Sequence, residues 1–172
     1  MVLSRGKPIQ LDHPVYLLTW TTYGSWLHGD QRGSIDLQHN LPLTPVLPAH
    51  TGRRKSESST LKTKPVLLDK TQRAIVSQTI RKVVEHKCWR LHALNCRSNH
   101  VHVVILASDR TPEIVMNSLK SWSSRRLNEQ LGEKRRWWTR HGSTRYLNDK
   151  ESVHRAIDYV LNRQDDLHGK EY

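Results

Sequence analysis

The chain has 172 residues and a formal net charge of +12, from 28 Lys and Arg against 16 Asp and Glu. That length suits one domain with a real core, and that charge points to a polyanionic partner, nucleic acid above all, the bland alternative being a surface basic only for solubility. The longest apolar run, 101–107 interrupted by His102, is too short to cross a bilayer, which excludes a membrane-spanning helix.

Apolar residues make up 35% of the chain, so the core is lean and long polar stretches are expected. Six Trp and five Tyr stand beside no Phe; such rings suit base stacking, yet most fall in strand or helix patterns and should pack. Cys88 and Cys96 lack metal-like or redox-like spacing, and no secretory signal is visible. They are expected to be reduced core residues in a cytoplasm.

Residues 1–13 are a polar lead-in, and 15–23 (VYLLTWTTY) read as a strand. Gly24, Gly29 and Gly33 then punctuate a loop that carries Trp26. From 41 to 65 four prolines, the cluster Arg53, Arg54 and Lys55, and a Ser/Thr run suggest an extended, partly disordered insertion within the domain. Residues 69–87 place Ile75, Ile80, Val83 and Val84 among polar residues, an amphipathic helix. Strands at 89–96 and 100–106 form a hairpin about the turn 97–99.

Thr111 as N-cap and Pro112 at the first helical position open a helix to about Gln130. Its expected apolar side is Ile114, Leu119, Trp122 and Leu127, with Lys120, Arg125 and Arg126 elsewhere around it. Arg135 and Arg136 lead into a strand at 142–147 holding Arg145, and Asn148 or Asp149 caps a last helix through about Asn162. The order predicts an α+β, ferredoxin-like βαββαβ fold in a single domain, 1–172. Four antiparallel strands, the first and third central, would carry helices on one face, with a further C-terminal helix.

Two features carry chemistry. His100 and His102 are two apart on a strand, so both imidazoles point to one side, as a metal-ligand pair would; the alternative is a pair of hydrogen-bonded core histidines. In the last helix Val153, Ile157, Val160 and Leu161 form an apolar stripe, and Tyr159 stands ~140° away from its middle. That position suits either an exposed filler or a presented phenol.

The segments NHVHVVI, TWTTYGSWLHGD, WTRHGSTRYL and AIDYVLNRQ together resemble the single-tyrosine HUH transposases of the IS200-like superfamily. They look most like the branch associated with repetitive extragenic palindromes (REP). The resemblance spans about 15–164, apart from the proline-rich insertion. It implies a divalent metal, Mg²⁺ or Mn²⁺, on His100 and His102, and Tyr159 as the nucleophile that forms a 5′-phosphotyrosine with single-stranded DNA. A third, amide ligand is also implied. The residue four after the tyrosine is Arg163, which cannot bind a cation, so that role passes to Gln164 or to Asn162.

Residues 111–148 carry eight basic and three acidic residues, whereas 149–172 carry four and six. A phosphate track is therefore expected along Lys120, Arg125, Arg126, Arg135, Arg136 and Arg145, with the Trp26 loop as the other wall. A hairpin substrate follows from the resemblance alone. No small-molecule substrate is expected, and the protein is a monomer or homodimer. The rival readings are a replication or conjugation nickase and a non-catalytic, domesticated nucleic-acid-binding module.

Overall fold

The computed structural model describes residues 10–25 and 64–162. Four strands are present: β1 (Gln10–Thr21), β2 (Arg90–Cys96), β3 (His100–Leu106) and β4 (Ser143–Asp149). Three helices join them: α1 (Lys70–His86), α2 (Pro112–Leu131) and α3 (Lys150–Asn162). The sheet order is β2-β3-β1-β4 and every neighbouring pair is antiparallel, so β1 and β3 are central as the sequence predicts. The insertion at 41–65 lies outside the described residues, except for its last two positions.

Burial on β3 explains the three-layer arrangement. Val101, Val103 and Ile105 face one way, with Tyr16, Leu18 and Trp20 of β1, and pack beneath Val76, Ile80 and Val84 of α1 and Leu119 and Leu127 of α2. Val104 faces the other way with Val15, Ala93 and Leu147, and is covered by Val153, Ala156 and Val160 of α3. A strand apolar on both sides needs a cover on both sides, since each fully buried Val or Leu contributes about 1.5–3 kcal/mol. The first two helices supply one cover and the C-terminal helix the other.

Local signals set the ends of the elements. Asp69 accepts from Gln72 N–H (2.8 Å) and its own N–H reaches Gln72 Oε1 (3.1 Å), a capping box that starts α1. At the far end Trp89 N–H donates to the Val84 carbonyl and Cys88 N–H to that of Glu85, both at 3.0 Å, a Schellman closure. Cys88 holds the left-handed position usually given to glycine, with φ 54°. Asp149 Oδ1 accepts from Ser152 N–H (2.7 Å), which makes Asp149 rather than Asn148 the cap of α3.

Four expectations need correction. β1 begins at Gln10, not at residue 15, and its pairing with β4 slips between Gln10 and Val15, around Pro14, which has no N–H to give. Cys88 is exposed in the α1–β2 turn and is not a core residue. The buried side of α2 is Val115, Met116, Leu119, Ser123 and Leu127, a spacing of about four, while Ile114 and Trp122 are exposed at 52% and 43%. Lys120 falls on the buried side of α2, where its ammonium donates to the carbonyls of Thr139 (2.8 Å), Arg140 (3.3 Å) and His141 (3.4 Å).

Four of the five described tryptophans, Trp20, Trp89, Trp137 and Trp138, are buried, so most of these rings do pack, although only Trp20 lies in a strand; Trp122, on a helix, is exposed. Gly142, just before β4, lies where three elements converge. A Cβ there would stand 2.6 Å from both Met116 Sδ and the Thr19 carbonyl, and 3.1 Å from Trp20 Cβ.

Candidate active site

Cross-strand neighbours in an antiparallel sheet share a face, so the register fixes what surrounds the histidines. His102 pairs with Thr19 on β1 and Asn95 on β2, and Thr19 pairs with Ser143 on β4. The result is a polar row, Asn95–His102–Thr19–Ser143, on the α3 face. The next row towards the interior, Ala93–Val104–Leu17–Arg145, is apolar until it reaches the edge strand. His100 pairs with Thr21 at the open end of the sheet. Both imidazoles therefore do share one face, with ring centroids 4.7 Å apart and ring planes at 74°.

Each histidine has a partner at Nδ1. Asn99 Oδ1 lies 2.6 Å from His100 Nδ1; an amide oxygen can only accept, so Nδ1 carries the proton and the ring lone pair lies on Nε2. Thr19 Oγ1 lies 2.7 Å from Nδ1 of His102, which is only 6% exposed. Asn99 is itself held in place, because its carbonyl accepts from Thr22 N–H (2.9 Å), Thr22 Oγ1 (3.3 Å) and Ser25 Oγ (3.1 Å). Hydrogen-bonded Nδ1 atoms on fixed partners are what orient imidazoles for metal binding through Nε2. The pair fits a divalent cation on these grounds. Among the described residues no group of three His, Cys, Asp or Glu gathers, here or elsewhere.

α3 brings the third residue. Tyr159 is half-buried against the α3-side core, and its ring centroid lies 5.6 Å from that of His102, the planes at 78°. Asn95 Nδ2 donates to the carbonyl of Val160, the residue after the tyrosine, at 2.9 Å. The structure therefore brings His100, His102 and Tyr159 together from β3 and α3. Asn162 is exposed and donates to Asp158 Oδ1 (2.9 Å), while Gln164 lies outside the described residues. Tyr146 is remote: its ring packs edge-on against Tyr16 (5.1 Å), on the opposite face of the sheet.

The residues expected to meet phosphate do not form one track. Arg145 pairs with Leu17 and so lies on the histidine face of the edge strand. Arg125 and Arg126 are exposed on α2, across the sheet. They border a groove of about 440 Å³ between α1 and α2, with Lys82, His86 and Trp122. Arg125 lies over the Trp122 ring at 4.7 Å. A second hollow of about 820 Å³ continues from Arg125 to Arg135 and Arg136. Arg136 lies 5.1 Å from the centre of the Tyr23 ring, two residues beyond the Thr21 that pairs with His100. The basic segment thus reaches the same end of the sheet as the histidines. Lys120 leaves the set, because burial and its three carbonyl partners occupy its ammonium; Trp26 lies outside the described residues.

Sequence reasoning missed Thr19, Asn95, Asn99 and the exposed Trp122. Thr19 and Asn95 act on elements far apart in sequence and Asn99 on the residue beside it, and their only local trace is a polar residue in an otherwise apolar strand or at its turn. Trp122 was legible: a spacing of four through Leu119, Ser123 and Leu127 leaves it outside.

Residues 59–159, more than half of the chain, match the family model described as "Transposase IS200 like". The chain belongs to the IS200-like transposase family, and the matched span holds both histidines and ends on Tyr159. Among solved structures the fold is similar to that of a REP-associated tyrosine transposase bound to a REP hairpin. Identity there is 13% and the TM-score 0.53, over 98% of this chain and 75% of that one. A candidate transposase from Deinococcus radiodurans R1 is 18% identical with a TM-score of 0.46, over 95% of this chain and 98% of the other. None of the curated proteins matches the sequence. Among the described residues no helix is long and apolar enough to cross a membrane.

Proposed function

We propose that the protein is a metal-dependent single-strand DNA endonuclease and strand transferase that cuts beside hairpin DNA through a 5′-phosphotyrosine on Tyr159. The observation that carries this reading is the placement of the Tyr159 ring beside His102, on the one face of the sheet that also holds His100. The hairpin rests on the DNA held by the REP-associated structural neighbour and on the basic segment that reaches the histidine end of the sheet at Arg136.

His100 and His102 would hold the cation, Mg²⁺ or Mn²⁺, with an amide oxygen of Gln164 or Asn162. When bound, such an ion supplies positive charge at the scissile phosphate. The donor set is neutral, so Mg²⁺ would bind weakly and Mn²⁺, which favours imidazole, more tightly. Thr19 and Asn99 keep the two rings turned towards the site. Tyr159, as phenolate, attacks phosphorus; the bond from phosphorus to the 3′ oxygen breaks, and that oxygen leaves as a 3′-OH after taking a proton. The phosphotyrosine conserves the bond for rejoining. Helix α3 holds the phenol beside His102, which would keep it close to a phosphate bound there. Reduced Cys88 and Cys96 fit a protein that works with DNA in the cytoplasm.

Incubation with Mn²⁺ and a hairpin flanked by single strand should yield an adduct stable to denaturant and mapping to Tyr159. No adduct, or one on Tyr146, would overturn the reading.

A further inference from the structure

Helix α3 carries the nucleophile, yet its cover of the sheet is apolar: Val153, Ala156 and Val160 rest on Val15, Ala93, Val104 and Leu147. Apolar contact is not directional and tolerates small slides and rotations. A hydrogen bond is directional, and it fixes donor and acceptor within a few tenths of an ångström. Asn95 supplies one from the sheet, donating through Nδ2 to the Val160 carbonyl at 2.9 Å. Its place is not arbitrary. Asn95 is the cross-strand partner of His102, in the same polar row as Thr19, whereas the next row inward packs with Ala93, Val104 and Leu17. A half-buried position on β2 against a helix would pack as well with an aliphatic residue. The amide instead ties the residue after Tyr159 to the strand that flanks the histidines.

We infer that Asn95 is a positioning residue: through the Val160 carbonyl it sets the height and rotation of Tyr159 over the His100–His102 pair. This rests on Tyr159 being the nucleophile. A phenol displaced by about 1 Å from its line of attack loses on the order of a hundredfold in rate, even where substrate still binds.

The test is single-turnover adduct formation at saturating hairpin DNA and Mn²⁺. Asn95→Leu keeps the bulk and removes the donor. It should slow adduct formation about ten- to a hundredfold, while the dissociation constants for DNA and Mn²⁺ and the melting temperature stay at wild-type values. Should Asn95→Leu fail to fold, Asn95→Ala gives a second readout: it removes the donor without adding apolar bulk and should slow adduct formation to a similar extent at unchanged DNA and Mn²⁺ affinity. A wild-type rate in Asn95→Leu or Asn95→Ala, or losses of DNA or Mn²⁺ affinity in step with the rate, each overturn the inference. Absence of an adduct in the wild-type protein itself would instead overturn the assignment of Tyr159.

Discussion

Thr19 and His102 meet across the two central strands, hydroxyl to Nδ1 at 2.7 Å, so a residue of β1 sets the orientation of a ring on β3. Removing such a partner from a metal-binding imidazole weakens the metal by about 10- to 100-fold. Thr19→Val, which keeps the shape and loses the hydroxyl, should therefore raise the dissociation constant for Mn²⁺ by that factor. Titration followed by electron paramagnetic resonance would measure it, and an unchanged constant would remove Thr19 from the site.

Tyr159→Phe should fold, bind DNA and bind Mn²⁺ like the wild type, because the ring's packing is kept. It should form no covalent adduct and release no 3′-OH product. Residual cleavage in gel assays would show that another nucleophile, water included, does the chemistry.

His100→Ala and His102→Ala should each abolish cleavage while leaving hairpin binding mostly intact, and chelator should silence the wild type. Of Gln164→Ala and Asn162→Ala, the one more impaired at low Mg²⁺ names the third ligand. Cleavage that survives chelation would refute the metal role.

The basic surface and the buried lysine make opposite predictions. Contact with roughly four to six phosphates on a single strand gives a log–log salt slope of binding near −3 to −4. Replacing Arg135 and Arg136 by Ala should flatten the slope by about one to two units, and Lys120→Met should not change it. Lys120 should show itself in stability. Burial first, and the charge of Arg136 second, bring its ammonium down from 10.5 to about 8. Between those values the unfolded chain binds more protons, so wild-type stability should rise with pH from about 8 to 10.5 relative to Lys120→Met. Parallel pH profiles of the two proteins would contradict this.

Cys88→Gly should stabilise the fold by about 1 kcal/mol, since an L-residue in the left-handed region costs that much and the exposed side chain gives up little. Thermal melts would show a rise of about 2–4 °C. In the wild type, an alkylating reagent should modify Cys88 and spare Cys96, whose thiol burial pushes up to about 12.

The fold was legible wherever periodicity and caps agree. The run from His100 to Leu106 announces a strand covered on both sides, and Asp69 and Thr111 mark helix starts where α1 and α2 begin. It was less legible on α2, where a lysine and a serine occupy the buried stripe and a tryptophan and an isoleucine do not. Side-chain polarity there misreports burial, because three carbonyls beyond the helix receive the Lys120 ammonium. The histidine pair and the tyrosine were visible as residue types at a spacing. Their supports were not, since Thr19 to His102 and Asn95 to Val160 are contacts that only the folded register creates.

Gly142 touches neither histidine nor tyrosine, yet any side chain there would press on the backbone of the residue that steadies His102. Met116 can yield, being a flexible thioether, but the Thr19 carbonyl at 2.6 Å cannot move without carrying its hydroxyl along. In a library of variants sorted for DNA cleavage, position 142 should be as intolerant as the histidines themselves. Sequence constraint in this protein thus extends to a residue with no side chain to offer.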